Sequence, residues 1–172
     1  MKKIGIKWKA QDVAHQSGKI AVVTGSNTGI GFQVALILAD KGAHVVLACR
    51  NLEKAEAARE KMLKSSPHAQ IFVEELDLAD LSNVEAFATR LKKSHQHVDI
   101  LINNAGVMIP PQSTTKDGFE LQIGTNHFGH FALTSHMMPL LSAAEKPRIV
   151  TLSSIAHWSG VIDLEDINGE KK

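Results

Sequence analysis

A glycine-rich turn constrains this chain more than any other feature: Thr24-Gly25-Ser26-Asn27-Thr28-Gly29-Ile30-Gly31 follows a β-branched apolar run and opens into a helical pattern. Such a helix start leaves its first backbone N–H groups without intrahelical partners, and the helix dipole adds partial positive charge there. Glycines remove the side chains that would hold an anion away, so Gly25 to Gly31 reads as a seat for a diphosphate. The spacing is Gly-x3-Gly-x-Gly, which departs in its first interval from the Gly-x-Gly-x2-Gly of the general dinucleotide fingerprint. Three glycines alone are weak evidence; their place between strand and helix carries the inference.

The rest of the chain agrees with that placement. Short β-branched runs alternate with segments of helical length, the signal for a parallel sheet with crossover helices. Strands are expected at Ile20 to Thr24, His44 to Ala48, Gln70 to Glu75, Val98 to Ile102 and Arg148 to Leu152. The first, second and fifth are nearly unbroken in apolar character, which predicts cover on both faces. Helices are expected over Gly29 to Asp40, stopped by Gly42, and from Asn51 as N-cap to about Lys64. A third starts at Ser82, which has capping-box spacing to Glu85, and ends near Ser94. A long fourth runs from Asp117 or Phe119 to Leu141, with Pro139 in its last turn. The expected architecture is therefore α/β, a doubly wound, Rossmann-like parallel sheet of order 3-2-1-4-5. In such sheets ligands bind beyond the C-terminal strand ends, and the loop Met108 to Lys116 borders that region.

A chain of 172 residues supports one domain or part of one, here 17–172, preceded by an arm at 1–16. The arm has four lysines and no apolar run of secretory type, so it reads as a leader laid along the domain. No transmembrane span is visible in the sequence. Lys plus Arg number 19 against 18 Asp plus Glu, which gives no field to recruit nucleic acid. Cys49 is the single cysteine, so an intramolecular disulfide is excluded and a reducing, cytoplasmic setting is expected. The groupings His95-x-His97, His127-x2-His130 and His136 lack cysteine or carboxylate partners at zinc-like spacing; no metal is expected, and His130 reads as helix packing.

The second strand ends in Ala48-Cys49-Arg50-Asn51, where a dinucleotide-binding fold places the group that reads the adenosine ribose. No carboxylate is present to hold a free 2'-hydroxyl, whereas Arg50 offers a guanidinium fork to a 2'-phosphate. NADP is thus the expected cofactor over NAD, with a surface-loop role for Arg50 as the alternative.

The series Thr24-Gly25-x3-Gly29-Ile30-Gly31, Asp77-Leu78, Asn103-Asn104-Ala105-Gly106, Asn126 and Ser153-Ser154 resembles the successive motifs of the short-chain dehydrogenases/reductases. Asn103-Asn-Ala-Gly-Val-Met and Thr125-Asn-His-Phe-Gly-His-Phe are similar to the branch of retinol dehydrogenases and protochlorophyllide reductases. The resemblance implies that Asp77 and Leu78 lie against the adenine and that Asn103, Ala105 and Gly106 shape the floor under the cofactor. It implies that Ser154 holds the substrate oxygen and Asn126 organises a proton path. For each the residues themselves leave a plainer option: Ser154 bonding its own backbone, Asn126 satisfied by a neighbouring loop, Asn103 to Gly106 as turn chemistry. The implied reaction is hydride transfer between nicotinamide and a carbonyl or alcohol of an apolar substrate, with a homodimer through the long fourth helix. The chain departs from the family at one point: it contains no tyrosine, and the Tyr-x3-Lys segment expected after Ser154 is absent. Lys171 and Lys172 do not replace that lysine, since nothing fixes them on a helix face. The two readings are a fragment of a longer oxidoreductase, with the C-terminal part of the fold missing, and a short nucleotide-binding or interaction module without chemistry.

Overall fold

The computed structural model describes residues 9–171. Five parallel strands, β1 (Ile20–Thr24), β2 (His44–Cys49), β3 (Gln70–Glu75), β4 (Ile100–Asn103) and β5 (Arg148–Thr151), form one sheet of order β3-β2-β1-β4-β5. This is the expected doubly wound topology. Register follows the pattern Val22 opposite Val46 on one side and Leu101 on the other. Side chains alternate across the sheet. Ala21 and Val23 pack under α1 (Gly29–Asp40) and α2 (Leu52–Ser65), with Phe32, Ala35 and Met62. Val22 faces the other way, under α3 (Leu81–Ser94) and α5 (His130–Ser142), with Phe87, Leu91 and Met137. The expected arm at 1–16 lies partly outside the described residues; from residue 9 onward the segment lies along the end of α1, where Gln16 N donates to Lys41 O at 2.8 Å.

Three expectations change. Asp80, not Ser82, caps α3: its Oδ1 accepts from Ser82 N at 3.0 Å and Asn83 N at 3.2 Å. A carboxylate placed one residue before the helix satisfies two of its free amides and also takes the Ser82 hydroxyl at 2.6 Å. The long helix begins later than expected and is not uniform. Glu120 caps α4 (Leu121–Ile123), a π-helical segment (Gly124–Gly129) follows, and α5 continues through Pro139 to Ser142. The start is delayed because Thr115 N donates to Phe119 O at 2.8 Å, closing a turn at Gly118. Finally, β5 is exposed at all four residues. Its apolar run predicted cover on both faces, but among the described residues it sits at the sheet edge with β4 as its one paired strand.

Candidate functional site

The C-terminal ends of β1 to β4 open into a cleft of about 220 Å³ lined by Gly25, Asn27, Arg50, Asp77, Leu78, Ala105 and Gly106. Seven of the sequence-predicted residues thus meet in one place. Gly25 adopts φ +62, and a Cβ on it would lie 2.9 Å from both Cα and Cβ of Ala105, so the turn needs glycine for conformation and for space. Gly31 lies against the Asn104 amide and 2.7 Å, measured from an added Cβ, from Gly25 O. The two motifs are therefore packed directly on each other. Asn104 Nδ2 donates to Thr24 O at 2.8 Å, and the Thr24 hydroxyl accepts from Asn104 N and Ala105 N, each at 2.9 Å.

Thr28, Gly29 and Ile30 border a larger, mostly apolar groove of about 900 Å³ between α1 and α2. Thr28 N-caps α1 in extended conformation without a side-chain hydrogen bond to the first turn, and Asn27 lines both the groove and the cleft. Ser26 lies beneath the turn, fully buried, and its hydroxyl donates to Val23 O at 2.9 Å. It supports the turn from within and its side chain does not face the cleft. Asp77 accepts from Ala79 N at 2.9 Å, and its own N–H donates to Asn83 Oδ1 at 2.8 Å, which fixes the β3 exit.

The remaining predicted residues stand apart. Asn103 is 4% exposed and borders a second cleft of about 420 Å³ between α5 and β5; its Nδ2 donates to Thr134 Oγ1 at 3.0 Å. Asn126 spends its side chain on the neighbouring loop: Oδ1 accepts from Val107 N and Nδ2 donates to Val107 O, both at 2.8 Å. These are the loop contacts of the plainer option. Ser154 is exposed, and its hydroxyl accepts from Ala156 N at 3.2 Å at the start of a 3-10 turn (Ile155–Ser159). That is the self-bonded option, and Ser154 does not line the nucleotide-side cleft.

Two residues given no site role by the sequence also line the cleft. Lys54, in the first turn of α2, shares its rim with Arg50, and neither forms an ion pair among the described residues. Their four-residue spacing was the available signal. Thr125 lines the same cleft with its hydroxyl buried and without a hydrogen-bond partner. A buried hydroxyl left open costs stability unless a ligand or water completes it. A cradle that glycine alone permits, two unpaired cations and an open hydroxyl fit a phosphorylated dinucleotide. No group of three or more His, Cys, Asp or Glu that could hold a metal occurs among the described residues.

Fold and cleft together define a dinucleotide-binding α/β domain. The family model of the short chain dehydrogenases matches residues 19–164, and the chain belongs to that family. It is 47% identical over 155 residues to retinol dehydrogenase 13 of Homo sapiens, covering 90% of this chain and 47% of that protein. Among solved structures, an uncharacterised protein from Mycobacterium paratuberculosis is 46% identical with a TM-score of 0.84, covering 96% of this chain and 57% of that one. A metagenomic short-chain oxidoreductase in complex with NADP is 31% identical with a TM-score of 0.73, covering 84% and 66%. The chain spans about half the length of the curated relatives it matches. No helix among the described residues is long and apolar enough to cross a membrane.

Proposed function

We propose that this chain forms the NADP(H)-binding half of a retinol-dehydrogenase-like oxidoreductase, in which hydride passes between nicotinamide and a carbonyl or alcohol of an apolar substrate. The observation that carries this is the joining of the Gly25–Ala105 cradle to a rim holding Arg50 and Lys54 at the strand ends. The NADP-bound relative supports the cofactor, and the retinol dehydrogenases support the substrate class. When bound, the cofactor supplies hydride chemistry. Gly25 and the start of α1 would seat its diphosphate, Arg50 and Lys54 its 2'-phosphate, and Asp77 and Leu78 its adenine. Proton transfer needs a donor that this chain does not hold as tyrosine, so turnover depends on residues additional to these 172.

The test is cofactor preference. Arg50→Asp shifts binding from NADPH toward NADH, and Lys54→Glu weakens NADPH roughly fivefold while sparing NADH. An unchanged NADPH/NADH ratio in both variants would remove the assignment. A second reading, a nucleotide-binding module without chemistry, accords with the Ser154 hydroxyl being taken up by Ala156 N. It predicts NADPH uptake without turnover in the native gene product. Phe131 (71% exposed) and Met138 (45%) on α5 support a homodimer through that helix, checked by sedimentation of the chain and of Phe131→Glu. The single buried Cys49 is compatible with the cytoplasm as working location, to be tested by imaging.

A further inference from the structure

His130 opens α5 directly after the π-helical segment and is 4% exposed. Both ring nitrogens are engaged. Nδ1 lies 3.0 Å from Asn126 O, and Nε2 lies 2.9 Å from Thr24 Oγ1. A carbonyl can only accept, so Nδ1 carries the proton, and in a neutral ring Nε2 is then an acceptor. The Thr24 hydroxyl already accepts from two amides, Asn104 N and Ala105 N, which uses both lone pairs. Its one proton has two possible acceptors, Ile102 O at 3.4 Å and the imidazole at 2.9 Å, and the shorter contact is the imidazole. Every donor and acceptor in this joint is matched only for the neutral Nδ1–H tautomer. Burial favours the neutral ring independently, holding its pKa below the ordinary value for histidine.

We infer that His130, as the Nδ1–H tautomer, is a positioning residue for nucleotide binding, tying the π-helical segment to the Asn104–Ala105 turn through the Thr24 hydroxyl. This rests on the nucleotide-binding reading above. Ala105 is the surface against which Gly25 packs, so a turn free to shift would deform the cradle from below. The other end of the link is also a wall of the cleft. Thr125 lines it from within the π-helical segment, and a Cβ on Gly129 would overlap Leu78 O. His130 thus joins two walls that no strand pairing connects.

The test uses the whole chain and nitrogen-15 spectra of the imidazole. The expected signature is a pyrrole-type Nδ1 and a pyridine-type Nε2 at neutral pH; a protonated Nε2 would overturn the inference. His130→Phe speeds hydrogen exchange at the Asn104 and Ala105 amides at least tenfold and weakens NADPH binding roughly fivefold to twentyfold. His130→Gln, whose amide oxygen reaches the Nε2 position, recovers much of both, whereas the shorter His130→Asn does not. A role in filling space alone would not favour the polar His130→Gln over the bulkier His130→Phe, and unchanged exchange at the two amides in all three variants would refute the link. Should the unaltered chain take up no NADPH, the proposed function falls; the tautomer and the exchange rates then decide the His130 link on their own.

Discussion

Gly25→Ala separates conformational strain from crowding at the centre of the cleft. Gly25 sits at φ +62, where an L-residue with a Cβ costs roughly 1–2 kcal/mol. The added Cβ would also stand 2.9 Å from two Ala105 atoms, a separation that forces a shift. Ala105 cannot retreat freely, because its N–H is held by Thr24 Oγ1 at 2.9 Å and its neighbour Asn104 by three contacts to Thr24 and Gly25. Overpacking of this kind costs typically 1–3 kcal/mol, so the total is about 2–5 kcal/mol. For a chain of this size that lowers Tm by roughly 4–20 °C. Gly18→Ala is the matched control: φ is +80, but nothing lies within 4 Å of the added Cβ, so the conformational part alone remains. The assay is a thermal melt of both variants with NADPH titrations alongside. Gly25→Ala is expected to melt lower than Gly18→Ala and to lose NADPH affinity, while Gly18→Ala keeps it. Equal melts together with unchanged NADPH affinity for Gly25→Ala would refute the reasoning that the turn and Ala105 form one cradle.

Other outcomes follow from single contacts. Thr125→Val removes an open buried hydroxyl with little change in shape, so the free protein melts at the same temperature or higher while NADPH binds more weakly; a lower melt would show that the hydroxyl was satisfied all along. The Lys116 ammonium, 2.7 Å away, and the Ser82 hydroxyl hold Asp80 down to about 2 from an ordinary 3.8. The folded value is the lower one, so this contribution is present above the unfolded value and fades as pH falls from about 4 toward 2. Asp80→Asn should flatten the acid limb of a stability curve in that window and speed amide exchange at Asn83, and an unaltered limb would count against the pair.

Much of the fold was legible because its signals are local and repeated. β1, β3 and the bounds of α1 follow directly from apolar runs and their glycine stops, and the Asn51 cap of α2 accepts from Lys54 N at 2.8 Å as its position suggested. Choosing between neighbouring capping groups was not legible. Asp80 and Ser82 both suit the role, and the carboxylate prevails because it reaches two amides and the serine hydroxyl at once. The exposure of β5 depends on which elements cover it, information that its own apolar composition does not hold. In the cleft, the glycines and Arg50 were readable from position relative to strands. Lys54 was hidden among the many charges of an exposed helix, and the hydrogen bonds of His130 required knowing that Thr24 lies beside it, 106 residues earlier in the chain.

Titration of the purified, folded chain with NADPH and with NADH tests the central claim most directly. The geometry of Gly25, Ala105, Arg50 and Lys54 predicts saturable binding of both, with NADPH the tighter ligand. Heat or fluorescence signals that stay flat for both nucleotides would contradict it.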